Sequence, residues 1–155
     1  MAPVFVAAWF CLWGLLPSYT GRMERNIFRA VCALLAAFTL LNGARMVADP
    51  IGWFASIPDL AVTGAANGHL IRDVGTAYLA SAIGLAFAAW RPGLAAPLLL
   101  APAVFMAGHG AGHLVDIAGG CAAAPAGTTT DWLGVILPGL VIAGLCGWGL
   151  RFRSA

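Results

Sequence analysis

Hydrophobic positions along the chain fall into long runs separated by short polar breaks, with no heptad pattern and no internal repeat. A membrane-crossing helix needs about 20 mostly apolar residues. Four runs reach that length: Ile27 to Ala48, His69 to Trp90, Leu94 to Ala118 and Trp132 to Leu150. Each break carries residues that stop a helix. Asp49-Pro50 ends the first run, because proline cannot continue the backbone ladder. Arg91-Pro92-Gly93 makes a tight break between the second and third runs, and Gly119-Gly120 ends the third. The pattern predicts an all-α integral membrane fold, an antiparallel four-helix transmembrane bundle.

Lipid tails are as apolar as leucine, so helices associate through close packing, and small residues should mark the seams. The expected seam residues are Ala77, Ala80, Gly84 and Ala88 in the second run, and Gly108 and Gly112 in the third. The fourth run offers Gly134, Gly139, Ala143, Gly144 and Gly147. Pro102 and Pro138 should kink the third and fourth helices, which polytopic bundles tolerate.

Residues 1–22 stand apart from a four-helix domain over residues 23–155. Pro3 to Leu16 is apolar but short for a span, and no basic residue precedes it. Three readings stay open: a short fifth span or interfacial helix, a signal-like anchor, or an over-extended gene start ahead of Met23. Basic residues are expected on the cytoplasmic side. Arg22, Arg25, Arg29, Arg91, Arg151 and Arg153 share one side of a four-helix topology. That places both ends of the bundle domain, the C-terminus included, on the cytoplasmic side. Trp53, Phe54 and Trp132 then mark the outer aromatic belt, and Trp90, Trp148 and Phe152 the inner one. The stretch Ile51 to Val62 is too apolar for a free loop and is expected to lie in the interface or fold over the bundle.

Composition agrees. Of the 155 residues, 61% are hydrophobic and only 9% charged, against roughly 25% charged in soluble domains. The mean hydropathy is +0.90. Disorder is excluded, and a net charge of +2 without any lysine offers no stripe for nucleic acid. The expected partners are the lipid bilayer and either a second copy or another membrane protein.

Ionisable residues within spans are costly and tend to be functional. Here they gather at the end of the first run, the start of the second, the end of the third and the start of the fourth. These are Arg45 and Asp49, His69, Arg72 and Asp73, His109, His113 and Asp116, and Asp131 after three threonines. In the predicted topology all of them lie near the outer face. His69 and Asp73 are spaced i,i+4, as are His109 and His113, with Asp116 following at i+3. All 3 histidines of the chain thus fall in one expected cluster.

Three chemistries fit such a cluster. Imidazole and carboxylate ligands suit Zn, Cu or Fe, with His109, His113, Asp73, His69 and Asp116 as candidate metal ligands. Histidine beside aspartate also suits a proton or quinone site. The third is a structural network, in which Arg72 pairs with Asp116 or Asp49, and Arg45 with Asp49 or Asp73. Arg72, Arg45 and Asp49 are assigned to this ion-pair role around the metal candidates. Asp59 and Asp131 are expected to be merely solvated. Haem is disfavoured, because His69 sits at the membrane surface and the bundle is rich in small residues. Cys32 and Cys146 read as small packing residues, Cys121 lies on the outer loop, and no intrachain disulfide is expected.

The short arginine-bearing start MERNIFRA, the Asp49-Pro50 stop and the polar-opened HLIRDVGTAYLASAIGL resemble small bacterial four-helix membrane proteins of a DoxX-like kind. The resemblance covers under half the chain. It implies the fold, a bacterial inner membrane and a link to redox partners, and it assigns no residue a role. The expected function is binding of a transition metal or small polar ligand in a redox or accessory role. A structural subunit of a larger membrane complex and a small proton-coupled transporter are the alternatives. No catalytic constellation, phosphate loop or dinucleotide motif is present.

Overall fold

The computed structural model describes residues 21–57, 60, 64–120 and 127–154. The N-terminal apolar segment up to residue 20, Asp59 and Cys121 lie outside them. Helix α1 covers Gly21–Ala48, a short α2 covers Pro50–Ala55, α3 covers Gly68–Trp90 and α4 covers Ala95–Gly119. A π-helical stretch over Thr130–Ile136 leads into α5, Leu137–Gly149. Two 3₁₀ turns, Pro92–Leu94 and Leu150–Ser154, complete the chain order. Among the described residues there is no strand. Four helical spans, Gly21–Ala48, Gly68–Trp90, Pro92–Gly119 and Thr130–Phe152, are long and apolar enough to cross a bilayer.

The predicted stops act as expected, and each has a local cause. The Asp49 carboxylate accepts a hydrogen bond from the Gly52 amide at 2.9 Å, so the residue that ends α1 also caps α2. Asn67 caps α3 by accepting from the His69 and Leu70 amides. Gly120 closes α4 in the left-handed region at φ 72°, which glycine adopts without the Cβ clash.

Each long helix buries one stripe at helical spacing. In α1 it is Phe28, Cys32, Ala36, Thr39, Gly43 and Met46. In α3 it includes Ile71, Gly75, Tyr78, Ala82 and Leu85. The opposite faces carry exposed apolar side chains, among them Leu34, Leu41, Ile83, Leu100, Val104 and Leu140. Water would not tolerate so wide an apolar surface on a monomer, and hydrocarbon solvates it. Four such candidate spans suggest a multi-pass membrane protein.

Close approach occurs at particular glycines. A Cβ on Gly43 would lie 2.7 Å from the Gly75 carbonyl oxygen, and one on Gly75 would lie 2.7 Å from Met46 Cβ. Gly84 of α3 makes room for the Pro102 ring of α4, whose Cγ would meet an added Cβ at 2.7 Å. Gly139 sits against the Met106 carbonyl, and Gly149 against Ala95. The expected seam is thus right in kind and partly wrong in place. Gly108, Gly112, Gly144 and Gly147 meet nothing within 4 Å, and Ala80 and Ala143 are exposed. Spacing alone does not say which face a small residue occupies. The larger residues around it settle that.

Proline acts differently at the two predicted kinks. Pro102 lies within continuous α4 and fills the Gly84 hollow. Before Pro138 the chain widens to a π turn, with the Leu137 amide bonded to the Trp132 carbonyl. Proline lacks the N–H for an i→i−4 bond, and its ring collides with that carbonyl in a regular helix. A wider turn avoids both problems.

At one end, Phe28 packs edge-on against Trp148 and Phe152, at ring separations of 5.7 and 5.0 Å. The Arg25 guanidinium lies 5.6 Å from the Phe152 ring centre. Phe152 is buried there, a core residue rather than part of an aromatic belt. Trp90 is exposed, with the Arg91 guanidinium 4.5 Å over its ring. Cys32 and Cys146 are free thiols, Cys32 buried in the core and Cys146 half-buried.

Candidate functional site

At the other end the helices enclose a cavity of about 370 Å³. Its walls are mostly apolar: Phe38 and Met46 from α1, Ile71 and Val74 from α3, and Val135 from the π turn. The α2 helix roofs it with Trp53 and Phe54. The indole N–H of Trp53 donates to Asn42 Oδ1 at 2.7 Å and fastens that roof to α1. The apolar loop after α1 therefore does fold over the bundle across residues 50–57.

The polar groups converge from α3, α4 and the π turn. His113 Nδ1 lies 2.6 Å from Asp131 Oδ1. The side chains are 26% and 15% exposed, so water screens the pair only in part. Asp131 Oδ2 accepts from the Thr128 amide at 2.6 Å and the Thr128 hydroxyl at 3.0 Å. The Asp131 amide in turn donates to Thr128 Oγ1 at 3.2 Å. This reciprocal pattern is a capping box, which starts the fourth span and locks the carboxylate in place. Asp131 thus receives three hydrogen bonds. A carboxylate only accepts, so His113 Nδ1 carries the hydrogen, and in the neutral ring Nε2 keeps a lone pair.

Behind this dyad is an aromatic stack. His109 lies edge-on to His113 with ring centres 4.9 Å apart. It stacks on Phe105 at 5.9 Å and meets Tyr78 edge-on at 6.2 Å. Tyr78 also packs edge-on against Phe105. Tyr78 is only 2% exposed and lines the cavity. No described group bonds its hydroxyl, either nitrogen of His109, or Nε2 of His113. Among the described residues the one buried side-chain polar atom without a partner is Trp148 Nε1, at the opposite end. The open positions of Tyr78, His109 and His113 are accessible ones, and they give this wall its hydrogen-bonding capacity.

The expected cluster is brought together only in part. His109, His113 and Asp116 line the cavity, with Asp116 exposed at its mouth. His69 and Asp73 do not. Their side chains are 89% and 62% exposed, and they face each other at 3.8 Å on the outside of α3. The reason is rotational. The buried face of α3 is set by Ile71 and Gly75, and a displacement of two residues turns a side chain by roughly 200°. Sharing a face at i,i+4 does not make that face the inner one.

The predicted ion-pair network is also absent among the described residues. Arg45 is exposed and forms no ion pair, and Arg72 donates only to the Val47 carbonyl, at 3.4 Å. Asp49 serves as a cap instead. Asp131, expected to be merely solvated, is the partner of His113. Its signal was present in the sequence: Thr128 and Asp131 hold capping-box spacing immediately before an apolar run. Tyr78, Asn42 and Trp53 were missed because each reads as an ordinary packing or interfacial residue until the roof is in place.

Among the described residues, no group of three or more His, Cys, Asp or Glu side chains is placed to hold one metal ion. No family model matches the chain, and no curated protein or solved structure matches it.

Proposed function

We propose that this chain is an integral membrane protein of the bacterial inner membrane that binds a small, largely apolar molecule in the roofed cavity. The contact order supports an antiparallel arrangement: Gly75 of α3 meets Met46 near the end of α1, Gly84 meets Pro102 of α4, and Gly149 meets Ala95. Arg22, Arg25, Arg29, Arg91 and Arg151 then share the end opposite the cavity. The positive-inside rule puts that end and the C-terminus in the cytoplasm, and the cavity on the periplasmic side.

One observation carries the binding reading. A mostly apolar hollow ends on a carboxylate-oriented imidazole, with the Tyr78 hydroxyl and the His109 ring beside it and no hydrogen-bond partner for either among the described residues. Ligand sites combine apolar walls with a few convergent polar groups in this way. Gly134 supplies the test. It lines the cavity, and a Cβ there would meet only Thr130 Cγ2, at 3.6 Å. A Gly134→Trp variant should fill the hollow without a backbone clash. Mass spectrometry of organic extracts should find a small molecule in the purified wild-type chain and not in the variant. Identical extracts from both would overturn the reading.

A second reading has its own support. Metal-bound histidines usually donate their other ring N–H to a carboxylate, and Asp131 stands in that relation to His113. A transition metal held by His109 and His113 would need further ligands from Asp116 or from the bound molecule. Metal analysis of the wild type against His109→Ala and His113→Ala decides it. Stoichiometric metal lost in both variants would establish the metal, and none in the wild type would remove it.

A further inference from the structure

The polarity of the cavity wall restricts the head group it can take. Anionic heads are disfavoured, because the cavity is lined by Asp116 and Asp131 and by no arginine. Arg72 is turned to the Val47 carbonyl instead. An ammonium head is poorly served as well. Asp131 already accepts from His113 and twice from Thr128, and Asp116 is exposed to solvent at the mouth. What remains is a neutral head.

Its hydrogen-bonding sense follows from the dyad. With the Nδ1 hydrogen committed to Asp131, the neutral His113 ring offers an acceptor at Nε2. Tyr78 lines the cavity and offers a hydroxyl with no partner among the described residues. A ketone, ester or ether can accept from Tyr78 but leaves Nε2 empty. A hydroxyl does both, donating to His113 Nε2 and accepting from Tyr78.

We propose that the cavity selects a neutral, membrane-soluble alcohol or phenol, with its hydroxyl held between His113 Nε2 and the Tyr78 hydroxyl and its apolar body under Trp53 and Phe54. Asp131 fixes the orientation of the imidazole by holding its Nδ1 hydrogen, with Nδ1 and Oδ1 2.6 Å apart. The proposal rests on the cavity being a binding site, and it adds the chemistry of the head.

The test uses four probes on the purified full chain in lipid nanodiscs: 4-butylphenol, its methyl ether 4-butylanisole, octanoate and octyltrimethylammonium. Calorimetric titration measures each, and the Gly134→Trp variant measures partition into lipid alone. The wild type should bind the phenol at least about tenfold more tightly than the ether, the equivalent of one well-made buried hydrogen bond. His113→Gln should bring the two probes to within about threefold, because an amide cannot reproduce the oriented acceptor. Equal affinity for phenol and ether in the wild type, or preference for octanoate or the ammonium, would leave the cavity as a site and overturn the hydroxyl assignment. Failure of all four probes to exceed the Gly134→Trp background would overturn the cavity reading and this inference with it. The comparison of phenol and ether in the wild type needs no variant to fold.

Discussion

Asp131 holds three structures together: the start of the fourth span, the orientation of His113 and one wall of the cavity. It accepts from His113 Nδ1, the Thr128 amide and the Thr128 hydroxyl. Asp131→Ala leaves all three donors without that acceptor, and stability should fall by about 1–3 kcal/mol. Asp131→Asn keeps one acceptor oxygen and should lose less. Thermal unfolding of both variants in the same detergent checks the order. An alanine variant as stable as the wild type would show that the three bonds contribute nothing net. Sequence spacing made Thr128 and Asp131 readable as a cap, but not as the partner of a histidine on another helix. Such a pairing depends on the rotation of α4 about its axis, and that rotation is fixed by Met106 and Gly110 packing inward.

Elements meet where backbones approach most closely, so seam glycines and outward glycines should behave differently. Gly75→Ala and Gly139→Ala drive a methyl into Met46 and into the Met106 carbonyl, and overpacking of this kind costs about 1–3 kcal/mol. Gly144→Ala and Gly147→Ala meet open space and should gain up to about 1 kcal/mol from helix propensity. Melting of the four variants side by side separates the two classes. Equal effects would mean that the seams are not where the structure has them. The π turn gives a second expectation at this scale. Pro138→Ala removes the cause of the wide turn, and an α-helical spacing would turn Asp131 by about 100° relative to Val135. Ligand binding should be lost while helical circular dichroism stays unchanged. The four spans and their stops were legible because length, proline and paired glycines act locally. The seam faces and the π turn were not, because both arise from packing against a neighbour.

For the whole molecule, the charge distribution makes a prediction about sidedness. In a cysteine-free background, Thr129→Cys lies on an exposed residue near the cavity end, and Gly93→Cys on an exposed residue near the arginine end. A membrane-impermeant thiol reagent should label the first on intact cells and the second only after permeabilisation. The reverse pattern would invert the topology, and labelling of both from outside would remove the fourfold crossing. Across the bundle, the pairing of Gly84 with Pro102 ties two helices together through one hollow and one ring. Neither position can change alone without opening a void or forcing a collision. In any lineage descended from this chain the two should therefore be inherited as a unit, and a homologue with a bulkier residue at one site should have surrendered the ring at the other.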